Sequence, residues 1–183
     1  RSAFGMQSLQ DMDRAILDER GRLNTGGTNP AAERRIQQLE SIRDQARKDY
    51  EADPLPAAQE RGLLGQITPL DTSNVQALVS GLSGRLDQAA LVSQKTGRTE
   101  SPLLMTEAEQ LGKSLSILPV PERAAAVATL AGALGPQMSA ALGRQMSPKD
   151  EALGLALAMA GEKTTQGRYT AELVLRGQQA KKD

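Results

Sequence analysis

Apolar residues along this sequence recur at steps of three, four and seven, and nowhere do they alternate with polar residues over the length of a strand. A helix returns to one face every 3.6 residues and a strand every two, so this periodicity restricts the chain to helices. No Asn-Gly pair is present to close a tight β-hairpin. The expected fold class is therefore all-α. Aromatic side chains are almost missing, Phe4, Tyr50 and Tyr169 being the whole set, so the helices must pack through leucine, alanine and glycine. A chain of 183 residues buries roughly 70% of its unfolded surface, and a core of that size needs no covalent staple.

Charge divides the chain. Residues 1 to 61 carry 10 basic and 11 acidic side chains, whereas residues 62 to 161 carry only 7 and 8. We read residues 1–61 as a charged antiparallel helical hairpin and 62–183 as a bundle of short Ala/Leu/Gly-rich helices, one continuous domain being the alternative. In the hairpin, Leu9, Met12, Ile16 and Leu23 form the apolar stripe of a helix over 7–23, with Gly21 weakening its last turn. Asn29 then caps a helix whose first position is Pro30, where a missing N–H is harmless. That helix runs to about Glu51, spans roughly 33 Å and turns Ile36, Leu39, Ile42, Ala46 and Tyr50 to one side. Its expected partner is the first helix, or a copy of it in a second chain. Asp53-Pro54-Leu55-Pro56 ends it, and a short helix over 57–64 follows.

Beyond the loop Thr68-Pro69-Leu70-Asp71, a helix over 74–94 carries Val75, Leu78, Val79, Leu82, Leu86 and Ala89 on one face, with Gly81 and Gly84 admitting another helix at close range. Residues 95–102 read as a loop. Thr106-Glu107-Ala108-Glu109 has capping-box spacing and opens a helix to about Ile117, and Pro121 opens another over 122–134 that Gly135-Pro136 ends. Shorter helices follow over 137–145 and, capped by Ser147 before Pro148, to about Ala160; a last one covers 169–181, with Ala171, Val174 and Leu175 inward. The match between 121–133 and 149–161 rests on a few alanines and defines no repeat.

Chemistry is narrowed by what is missing. Without cysteine or histidine the chain has no thiolate nucleophile, no Cys-ligated zinc or iron–sulfur cluster, and neither the commonest acid/base residue nor the commonest metal ligand. The expectation is no catalytic, cofactor-binding or metal-binding residue and no small-molecule substrate. The pairs Asp11 with Asp13, Glu107 with Glu109 and Asp150 with Glu151 do not share a helical face, and they read as acids favoured by helix amino termini. Glycine pairs lack a Walker lysine and a preceding strand. Arg34, Arg35, Arg43, Arg47 and Lys48 interleave with Glu40, Asp44, Asp49 and Glu51, which makes a salt-laced surface rather than a sequence-specific nucleic-acid face. With 22 basic and 22 acidic residues, the whole chain has no field to draw it onto DNA or an anionic membrane. Residues 124–143 hold no charge for the length of a spanning helix, but the run is mostly alanine and glycine and breaks at Gly135-Pro136. Close helix packing explains it, with conditional membrane contact of 124–160 as the alternative.

A series of segments points further: Leu64-Gly-Gln-Ile-Thr-Pro-Leu-Asp71, Arg85-Leu-Asp-Gln88, Pro102-Leu-Leu-Met-Thr-Glu-Ala-Glu-Gln-Leu111, the run from Leu115 through Gly135, and Gly167-Arg-Tyr-Thr-Ala-Glu-Leu-Val-Leu-Arg-Gly177. In order and character they resemble segments of the very large internal virion, or DNA-ejection, proteins of tailed bacteriophages, over roughly residues 60–180. The resemblance implies a non-enzymatic helical segment, packaged in the virion interior and leaving with the genome to help build a conduit across the host envelope. Its implied partners are other virion proteins or further copies of itself. Some such proteins carry a lytic transglycosylase domain, and Glu100-Ser101 resembles the Glu-Ser pair of those enzymes. Here the pair lies in a polar loop broken by Pro102, and the glycine-, glutamine- and tyrosine-containing motifs that follow in those enzymes are missing, so Glu100 reads as a solvated loop acid. The opening at Arg1 suggests a piece of a longer protein. The competing expectation is a cytoplasmic helical interaction module whose hairpin stripe binds a partner helix.

Overall fold

The computed structural model describes residues 9–26 and 29–161, and these are helical throughout apart from turns and loops, an all-α fold. The expected helix over 169–181 lies outside the described residues. Among them the order is α1 (Leu9–Gly26), α2 (Pro30–Ala52), α3 (Pro54–Glu60), α4 (Val75–Ser80), α5 (Leu82–Thr96), α6 (Met105–Ser116), α7 (Val120–Leu134), α8 (Pro136–Met146) and α9 (Glu151–Ala160).

Helices α1 and α2 form an antiparallel hairpin. Asp13 near the start of α1 pairs with Arg43 late in α2, whereas Glu19 and Arg20 further along α1 pair with Arg35 and Glu40 earlier in α2. The Asn29 side chain accepts from Ala31 N and Ala32 N at 3.1 and 3.3 Å, satisfying two of the amides that a helix start leaves without partners. Ile36, Leu39, Ala46 and Tyr50 are buried as the stripe requires, but Ile42 is not: at 37% exposure it lies on the hairpin's edge. Helix α1 runs past the expected end at Leu23 and continues to Gly26. Asp53 closes α2, and Pro54 opens α3 at once, three residues earlier than the sequence suggested, because a proline at the first helical position loses nothing.

The single helix expected over 74–94 is two. At Gly81 the backbone leaves the α region (φ −97°, ψ 1°), and its N–H bonds to Leu78 O. Both Gly81 and Gly84 are tight, yet what approaches is a loop rather than a helix. A Cβ on Gly81 would stand 3.2 Å from a Leu70 methyl, and one on Gly84 would stand 3.2 Å from the Thr68 hydroxyl. Two other starts also move. Helix α6 begins at Met105, with Glu107 rather than Glu109 reaching back to the Leu104 N–H at 2.8 Å. Helix α9 is capped by Asp150, which accepts from Leu153 N, while Ser147 bonds back to Gly143 O and finishes α8.

Two apolar clusters hold these elements. One unites Leu78 and Leu82 with Leu111 and Leu115 of α6, Leu130 of α7, Leu142 of α8 and Leu157 of α9. The other unites Met12, Ala46, Tyr50, Leu55 and Leu64 with Val92. Helix α5 serves both, sending Leu82 to the first and Val92 to the second, so it is the beam on which the hairpin side and the helical stack meet. Within the stack α8 and α9 run antiparallel, so close that Gly143 and Gly154 each face the other's carbonyl oxygen.

Candidate functional site

Apolar positions 78 of α4 and 82, 89 and 92 of α5 fall in the register of one stripe, and Arg85 stands in the middle of it, 1% exposed. Nothing in a leucine-lined interior solvates a guanidinium, so its N–H groups need protein acceptors. All five have them. Nη1 and Nη2 donate to the two oxygens of Glu107 at 2.5 and 3.1 Å, Nη1 also donates to Pro102 O at 3.1 Å, and Nε to Thr68 O at 2.9 Å, which Nη2 shares. One side chain thus ties together the loop before α4, the loop before α6 and the first turn of α6.

From the hairpin side Asp53 joins the same junction, its Oδ1 accepting the Met105 N–H at 3.1 Å. Burial raises the carboxyl's proton affinity above the ordinary aspartate value. The Met105 hydrogen bond opposes the rise, the Glu107 charge adds to it and Arg85 lowers it.

Glu100 is not the solvated loop acid its sequence context suggested. Gly97, at φ +82°, reverses the chain after α5, and Glu100 is folded inward to 3% exposure. Its Oε1 accepts from Arg98 Nε at 2.7 Å and from Thr96 Oγ1 at 3.2 Å, and its N–H donates to Ser93 Oγ at 2.8 Å. The buried Ser101 Oγ accepts from Leu103 N at 3.2 Å. Glutamate and serine therefore staple the α5–α6 loop, beside a cleft of about 200 Å³ that Arg98, Arg144 and Gln145 also line.

The other acids singled out are dispersed. Asp13 pairs with Arg43 and Glu109 with Lys149, Glu107 belongs to the Arg85 junction, Asp150 caps α9, and Asp11 and Glu151 are exposed. The basic residues of α2 do not form a continuous face: Arg35 turns to Glu19, Arg43 to Asp13 and Asp44, and Arg34, Arg47 and Lys48 are exposed between acids. Among the described residues no group of three or more acids could hold a metal, and no helix is long and apolar enough to cross a membrane. The charge-free run 124–143 is divided between α7 and α8 at Gly135. A groove of about 330 Å³ between α6 and the end of α8 is floored by Met105, Ala108, Gly112, Met146 and Pro148, with the Glu109–Lys149 pair across it.

The geometry is that of a structural junction in which buried charge fixes how segments meet, and the residue at its centre, Arg85, carried a signal in the sequence: a cation at heptad register inside an apolar stripe. No protein-family model, curated protein or solved structure matches the chain.

Proposed function

We propose that the chain is a non-enzymatic helical segment of a phage internal virion protein, one that leaves the particle with the genome and helps form a conduit across the host envelope. The observation that carries this reading is the order of packing. Of the helix pairs that touch most extensively, α8 with α9, α1 with α2, α2 with α3 and α7 with α8 are neighbours in sequence, and α7 and α9 are separated by α8 alone. A protein that must pass a narrow portal has to unfold and refold, and contacts local in sequence reform without closing long loops. No cysteine is present to tie distant segments covalently. The engagement of Glu100 by Arg98 of its own loop and of Glu107 by the buried Arg85 of α5 supports the non-enzymatic part.

The alternative, an interaction module that binds a partner helix through the hairpin's stripe, has less support. Met12, Ile16, Ile36 and Leu39 already bury one another's faces or those of α3 and α5. The test is to unfold the full chain in urea, follow refolding by stopped flow, and then float it with anionic liposomes between pH 5 and 8. The proposal expects refolding on the order of milliseconds, as for helical domains of local topology, and lipid-dependent assembly. Refolding slower than about a second, or a monomer unchanged by lipid across that range, refutes it.

A further inference from the structure

One face of α6 floors a groove. Met105, Ala108, Gly112 and Ser116, three and four residues apart, follow one another along roughly 16 Å of helix, and Met146 and Pro148 complete a space of about 330 Å³. That volume is at the lower end of the range, about 300–1,000 Å³, in which small-molecule sites fall. The floor is methyl, methylene and thioether, with no aromatic ring to stack a flat ligand. Methionine turns about three side-chain bonds and fits itself to whatever fills the space. Gly112 keeps the floor low, since a Cβ there would already stand 3.5 Å from Met146 Cε.

Charge at the rim narrows the occupant. The Glu109–Lys149 ion pair spans the groove from α6 to the α8–α9 turn. A partner helix, about 10 Å across, cannot lie beneath that bridge without breaking it, whereas a single alkyl chain, about 4 Å thick, passes under it. At the Ser116 end the uncommitted charge is positive. Lys113 is exposed and pairs with no carboxylate among the described residues. Arg123, 3% exposed, donates to Ser116 O and Leu118 O and to no carboxylate, so the end of α6 does not present bare carbonyls there. We propose that the groove is a binding site for a single long-chain fatty-acyl anion. Its alkyl chain lies along α6 between Met105 and Met146, beneath the Glu109–Lys149 bridge, and its carboxylate meets Lys113 beside Ser116. Burial of the alkyl chain supplies most of the affinity, and the rim charge decides which end faces out. Such a site is independent of whether the protein enters an envelope.

The test uses the full chain, labelled with carbon-13 at its methionine methyl groups. Laurate is titrated in below the concentration at which it forms micelles, and dodecyltrimethylammonium, an alkyl chain of the same length on a cationic head, is titrated in parallel. The methyl signals of Met105 and Met146, assigned through Met105→Leu and Met146→Leu, should shift with laurate, while that of Met12 in the hairpin cluster stays in place. Lys113→Glu, at an exposed position, should weaken laurate by up to about fivefold and tighten the cation, the factor that one exposed ion pair is worth. Gly112→Leu, which fills the floor, should abolish binding; the parent titration and Lys113→Glu decide the matter if that variant does not fold. Laurate that moves neither groove methyl, or moves Met12 as much, overturns the site. The cation binding the parent as tightly as laurate does overturns the anionic head. Signals of Met105 and Met146 that shift with protein concentration alone give the groove to a second copy and overturn the proposal.

Discussion

Alanine should have opposite effects at two helical glycines only eleven positions apart. At Gly143 in α8, a Cβ would stand 2.5 Å from Gly154 O and 3.0 Å from Ala158 Cβ, and at Gly154 in α9 one would stand 2.6 Å from Gly143 O. Carbon and carbonyl oxygen approach no closer than about 3.3 Å even in a favourable Cα–H···O contact, so Gly143→Ala must part the two helices by nearly an ångström. A gap of that size forfeits a quarter to a half of each dispersion contact across it, and Leu142, Met146, Leu153 and Leu157 lie in the cluster these helices share. Overpacking costs about 1–3 kcal/mol, and the upper end applies because the obstacle is backbone with no rotamer to change. Alanine's helix preference returns about 1 kcal/mol, leaving a net loss of about 2 kcal/mol. For a chain of this length that lowers Tm by about 4–8 °C. Gly132, exposed in the last turn of α7, has nothing within 4 Å of the same Cβ, so Gly132→Ala should gain up to about 0.5 kcal/mol. Urea and thermal unfolding followed by far-ultraviolet circular dichroism measure both. Gly143→Ala as stable as the parent, or both variants shifting the same way, would refute the claim that direct backbone contact sets the α8–α9 distance.

Three further outcomes are expected. Arg85→Ala strands Glu107 in the interior and should lower unfolding stability by about 3–5 kcal/mol, whereas Arg85→Met combined with Glu107→Gln should recover much of it; urea midpoints decide, and a double variant no better than the single one contradicts the reading. Tyr50 buries its hydroxyl without a hydrogen-bond partner, so Tyr50→Phe should add about 1 kcal/mol at neutral pH. Burial raises the Tyr50 pKa, offset by Arg61 and reinforced by Glu100 and Asp49; the stability linked to that proton is therefore lost as pH rises through the folded value, and the advantage of phenylalanine in a pH series of Tm should widen above about pH 10. Asn29→Ala removes the side-chain acceptor for two amides of α2 and should lower stability by about 1 kcal/mol, while Asn29→Gly should lose only a few tenths.

The helices were legible because their stops are chemical. Asn29-Pro30, Gly135-Pro136 and Asp53-Pro54 each fix a boundary through a cap or a missing N–H, and in each case the structure turns where the residues require. Boundaries that depend on tertiary contact were not legible. Gly81 lies within the apolar pattern of 75–89, and it breaks the helix where the loop that precedes α4 folds back, setting Leu70 against Gly81 and Thr68 against Gly84. The junction was half legible. An arginine at position 85 of a stripe made by 78, 82, 89 and 92 announces a buried cation, but not that its acceptors are Thr68, Pro102 and Glu107, which only the fold brings together. Glu100 was misread for a related reason. A loop composition of Arg, Thr, Glu and Ser suggests solvent, yet the left-handed turn at Gly97 folds the carboxylate under Arg98.

The charge-free run of residues 124–143 shows how the same composition serves packing instead of insertion. To span a bilayer, α7 and α8 would have to merge, placing Pro136 inside a helix at about 3 kcal/mol and moving Gly135 from φ +83° into the helical region. The freed backbone acceptors near Pro136 would then meet hydrocarbon rather than the hydroxyl of Ser139, which now donates to Ala131 O at 3.1 Å. Both ends of the run also carry arginines engaged with protein carbonyls, Arg123 with Ser116 O and Leu118 O and Arg144 with Thr99 O. The small residues of this region meet a different need. They let α8 and α9 approach until main chain touches main chain, burying Leu142 and Leu153 with no aromatic side chain in the cluster they share.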